Sequence, residues 1–105
     1  MARPIHYGDD FAATLREEAA YLREREKPQW MPLLEADLAA AAQLLASFPH
    51  GGTSTARRGS RELRKIRLER TPFYVWYVFD AAEANGPVTF LRIFHMRQRA
   101  RKSAF

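Results

Sequence analysis

Phe73-Tyr74-Val75-Trp76-Tyr77-Val78-Phe79 is the stretch that decides the fold. Seven consecutive aromatic and β-branched residues suit a pleated, packed surface and have no helical period. They predict a central strand covered on both faces. Tyr74 and Trp76 fall on one face and Tyr77 on the other, because side chains alternate along a strand.

Upstream of it, Arg64-Lys65-Ile66-Arg67-Leu68-Glu69 alternates. Ile66 and Leu68 point one way, and Lys65, Arg67 and Glu69 the other. Leu63 breaks the parity, which predicts a strand starting near Arg64 or carrying a bulge. Arg70-Thr71-Pro72 turns the chain. Downstream, Asn85-Gly86 marks a hairpin connection, and Val88-Thr89-Phe90-Leu91-Arg92-Ile93-Phe94-His95 reads as the last strand. A basic tail follows from Met96 to Phe105.

The first half has a different period. Phe11, Leu15, Ala19 and Leu22 are spaced four, four and three, which is one face of a helix. Gly8-Asp9-Asp10 supplies its N-cap signal. Lys27-Pro28 ends that helix. Leu34, Leu38, Ala41, Leu45 and Phe48 form the stripe of a second helix, with Pro32 in its first turn. Arg3 to Tyr7 reads as a short edge strand. Residues 49–60, rich in Gly, Ser, Thr and Arg, read as a surface loop.

The expected order is β-α-α-β-β-β. Both the helical hairpin and the sheet must bury an apolar face, so an α+β fold with the hairpin on one face of a small antiparallel sheet is expected. With 105 residues, one domain spanning 1–105 accounts for the chain. There is no cysteine, so disulfides and thiol chemistry are excluded. No apolar run is long enough to span a bilayer. The histidines His6, His50 and His95 have no metal-ligand spacing, and neither metal nor cofactor is expected.

The charge is divided. Residues 1–50 carry five Lys/Arg against eight Asp/Glu, a net of −3. Residues 51–105 carry twelve against four, a net of +8. That asymmetry points to an anionic partner for the sheet half. Lys65 and Arg67 share a strand face about 7 Å apart, a spacing that matches successive phosphates. Arg97 and Arg99 follow the last strand. The candidate binding patch is Arg64, Lys65, Arg67, Arg97 and Arg99.

The runs Leu63-Arg64-Lys65-Ile66-Arg67-Leu68, Phe73 to Asp80, and Val88 to Arg97 resemble the RelE/ParE superfamily of bacterial type II toxin–antitoxin toxins. The resemblance covers most of the chain, helical hairpin included. It implies a cytoplasmic toxin neutralised by an acidic antitoxin encoded beside it. In RelE-like members, which cleave messenger RNA on the ribosome, Lys65 and Arg67 would match the basic pair and Arg97 or Arg99 the later arginine. Lys65, Arg67 and Arg97 would then be catalytic. Yet Tyr74 stands where a basic residue is expected, and no tyrosine follows His95. The ending His95-Met96-Arg97-Gln98-Arg99 looks more like the ParE-like branch, whose members are associated with DNA gyrase and plasmid stabilisation. A non-toxic relative that binds nucleic acid or protein is the third possibility.

Overall fold

The structure, a computed structural model, describes residues 2–25 and 29–96. The elements are β1 (Ile5–Tyr7), α1 (Asp9–Glu24), α2 (Trp30–Ser47), a short 3-10 turn (Pro49–Gly51), β2 (Thr53–Arg58), β3 (Arg61–Arg67), β4 (Phe73–Asp80) and β5 (Val88–His95). This is the expected α+β arrangement of two helices and a sheet. The sheet has five strands in the order β1-β5-β4-β3-β2. It is mixed, because β1 runs parallel to β5 while the other neighbours are antiparallel.

Three local expectations are corrected. Residues 49–60 are a 3-10 turn and a strand rather than a loop. Gly59, at φ 61, and Ser60 turn β2 into β3, so the two-residue Gly-Ser loop is a hairpin. The bulge lies on β2 between Ser54 and Ala56, while β3 itself starts at Arg61. At α1, Gly8 is the N-cap and makes no side-chain cap bond. Asp9 and Asp10 stand inside the first turn, where their charges still favour the helix dipole. Lys27 and Pro28 lie outside the described residues.

The core forms where one sheet face meets the helices. Phe73, Val75, Tyr77 and Phe79 alternate inward along β4 and are buried, with Val88, Phe90 and Ile93 beside them on β5. Phe11 and Leu22 of α1 and Leu34, Ala41 and Leu45 of α2 close this core. Thus β4 is buried on one face and half-open on the other, not covered on both.

Two polar contacts tie the layers together. Asp37 of α2, itself buried, accepts from the Arg70 and Thr71 amides and the Thr71 hydroxyl at 2.9, 2.8 and 2.7 Å. It thereby holds the β3–β4 turn against α2. The Tyr77 hydroxyl donates to the Pro49 carbonyl at 2.7 Å and accepts from the Gly52 amide at 2.9 Å. A Cβ on Gly52 would lie 2.5 Å from the Lys65 carbonyl oxygen and 2.6 Å from the Tyr77 hydroxyl, so only glycine fits that approach. Burial pushes the Tyr77 phenol pKa up from its ordinary value.

Candidate functional site

Strand parity sorts the basic residues of β3 onto two surfaces. Lys65 lies opposite Trp76 and Arg67 opposite Tyr74, so all four share the open face of the sheet. Tyr74 lies opposite Phe94, and Trp76 opposite Arg92. The Lys65 Nζ stands 5.0 Å from the Tyr74 ring centroid and 5.7 Å from that of Trp76. The Trp76 and Phe94 rings stack at 6.1 Å, and Tyr74 and Phe94 are also 6.1 Å apart. Phe94 is buried here although it lies outside the main core cluster. The result is a small aromatic platform that holds one cation over its rings.

Lys65 and Arg67 have no carboxylate within 4 Å among the described residues. Arg92 reaches Asp10 at 3.7 Å, a partly exposed pair worth little. The open face therefore presents unneutralised positive charge, the condition for attracting an anionic partner.

Arg64, expected in the same patch, stands on the other side. Its Nε donates to Glu62 Oε1 at 3.0 Å, and its Nη1 donates to the Gly52 carbonyl at 2.6 Å and the His50 carbonyl at 3.2 Å. Adjacent strand residues point to opposite faces, so Arg64 cannot join Lys65 and Arg67. It clamps the chain that enters β2. Arg97 and Arg99, the remaining predicted members, lie outside the described residues. The histidines are separated: the half-exposed His50 packs on Phe79 at 5.0 Å and lies 3.7 Å from Glu62, and His95 packs on Phe73 at 5.3 Å. His6 is on β1, three strands from β3. No cluster of His, Cys, Asp and Glu able to hold a metal occurs among the described residues.

A second surface lies on α2. The outer side of α2 is apolar as well as its inner side. Leu33, Ala36, Ala40, Leu44 and Phe48 are exposed at spacings of three, four, four and four. Leu44 is 48% exposed and Phe48 55%; the latter was expected in the inner stripe. An exposed apolar stripe of this size on a helix is the kind of surface that marks an interaction site. The signal was in the sequence, since Ala39 to Ala42 and Leu44-Leu45 leave only Glu35, Gln43 and Ser47 as a narrow polar stripe. Beside it, between α2 and β3, runs a groove of about 270 Å³ lined by Asp37, Ala40, Leu44, Ile66, Arg67 and Glu69, among others.

Comparison with known proteins gives one family by sequence and one similar fold. The family model described as "ParE toxin of type II toxin-antitoxin system, parDE" matches residues 5–100. A solved structure described as "Chromosomal ParDE TA system from P. aeruginosa" has a similar fold. Its TM-score is 0.65 at 17% identity, over 90% of this chain and 96% of that one. No curated protein sequence matches. No helix among the described residues is long and apolar enough to cross a membrane.

Proposed function

This chain belongs to the ParE toxin family of type II toxin–antitoxin systems, and from that premise we propose that residues 1–105 act as a single cytoplasmic toxin domain. It arrests growth by binding DNA gyrase and is neutralised by an acidic antitoxin. The observation that carries this reading is the open sheet face, where Lys65 and Arg67 stand among Tyr74, Trp76 and Phe94. Cleavage of a phosphodiester calls for positioned groups that take and return protons. Among the described residues no histidine accompanies these cations: His95 packs on Phe73, and the half-exposed His50 lies beside Phe79 and Glu62. Cations on an aromatic platform suit attachment to an anionic surface of a target protein.

The antitoxin has two features to meet, the positive sheet half and the uncovered apolar side of α2. An amphipathic acidic chain satisfies both. The test is induction of the chain in cells, with DNA supercoiling and mRNA integrity followed together. Growth arrest with altered supercoiling, intact transcripts and rescue by the adjacent gene product is expected. Arrest with ribosome-dependent mRNA cleavage would instead assign the RelE-like chemistry, with Lys65 and Arg67 in it. Normal growth despite abundant folded protein would leave only a binding module.

A further inference from the structure

The sheet has an unfinished edge. β2 pairs with β3 only as far as Thr53 opposite Lys65, whereas β3 continues to Arg67. The Leu68 amide donates to the Phe73 carbonyl at 2.9 Å, so Leu68 faces β4. Backbone groups alternate in direction along a strand, so the N–H and C=O of Arg67 face the side that β2 has left. No backbone or side-chain partner for them occurs among the described residues. The groove between α2 and β3 begins at the same place and is walled by Ala40, Leu44 and Ile66.

We propose that this notch receives an extended segment of the antitoxin, which adds a short strand to β3 in the place where β2 stops. This rests on the antitoxin reading above. The notch specifies the segment's chemistry. The residue opposite Arg67 shares its face, with Cβ atoms about 5 Å apart, so a carboxylate there neutralises the unpaired guanidinium. The residues on either side of it point the other way, into the groove against Ala40 and Leu44, and are apolar. The motif is therefore apolar–acidic–apolar. Backbone hydrogen bonds give such an added strand its affinity, and the alternating side chains give its specificity. A second copy of this chain fits poorly, because its own exposed edge strand would bring Arg57 and Arg58 against Arg67. A nucleic acid offers no matching ladder of N–H and C=O groups.

The experiment uses ¹⁵N-labelled full-length chain, alone and co-purified with the unlabelled protein encoded by the adjacent reading frame. Exchange of the Arg67 amide with solvent should be fast in the free chain and slowed at least about tenfold in the complex, as one hydrogen bond of this type provides. Arg67→Ala removes only the cation, whereas Arg67→Pro also removes the N–H. The proline variant should bind about tenfold more weakly than the alanine variant. Proline is tolerated where a strand N–H faces solvent, and thermal unfolding of the variant checks this. If Arg67→Pro does not fold, the wild-type amide decides alone. A complex that forms with the Arg67 amide still exchanging freely overturns the notch and leaves the antitoxin reading intact. Protection of Arg67 by self-association of the free chain also overturns it. Absence of any complex overturns both.

Discussion

Two inner strands of this sheet outrun their outer neighbours, and the chain treats them differently. β1 pairs with β5 only from Val88 to Phe90. Beyond that point α1 takes over: the Ile93 amide donates to the Thr14 hydroxyl at 3.1 Å, and the Gly8 amide donates to the Phe90 carbonyl at 2.9 Å. At the other side β2 stops at Thr53, and among the described residues no element steps in beside Arg67. The difference is in side-chain chemistry. α1 presents a short hydroxyl at the β5 edge, and nearby Phe90 packs edge to face against both Tyr7 and Phe11. α2 presents alanine and leucine at the β3 edge, which cannot satisfy a backbone amide. One edge is finished by the fold, and the other is left for a partner.

On that contrast, substitutions on the β5 side should act on stability, and those on the β3 side chiefly on binding. The largest loss is expected for Phe90→Ala, which empties a fully buried site shared by β5, β1 and α1. Chemical denaturation should show about 3–5 kcal/mol. Asp37→Ala comes next, at about 3 kcal/mol, because it strands two backbone amides and a hydroxyl at the β3–β4 turn. At this position on the β3 side stability, not only binding, should suffer. Thr14→Val keeps the shape but leaves the Ile93 amide without its acceptor, for about 1–2 kcal/mol, and hydrogen exchange at Ile93 should quicken.

Tyr77 sharpens the comparison through pH. Its pKa is raised in the folded chain, chiefly by burial. The contribution is therefore fully present below the ordinary value of 10.0 and is lost as pH rises above it, because the unfolded chain gives up its proton first. Alkaline denaturation should flatten in Tyr77→Phe. The smallest stability effect, within about 0.5 kcal/mol, is expected for Leu44→Gln on the exposed side of α2. Pull-down by the antitoxin should nonetheless weaken clearly. A Leu44→Gln chain that binds normally would erase the functional half of the contrast.

Some of this was legible in advance and some was not. The β4 run announced its strand because every inward residue is apolar. β2 carries no strand signal in the sequence because all six of its residues are exposed, so burial imposes no alternation on Thr53 to Arg58. Only the Gly59-Ser60 pair marked the hairpin. Lys65 and Arg67 were placed together correctly by period alone. Proximity in sequence groups Arg64 with them, yet the pleat turns it toward Glu62 and Gly52. The outer stripe of α2 was visible as composition, but its meaning depended on knowing which side the sheet had already taken.

By itself the sequence determined the two helices, the three main strands, the divided charge and the pairing of Lys65 with Arg67, because hydrophobic period and strand parity are local properties of the chain. The tertiary structure alone decided where strands end relative to their neighbours, which side of α2 stays uncovered, and that β1 runs parallel to β5. These depend on register and on which surfaces meet, and residues far apart in the chain set both.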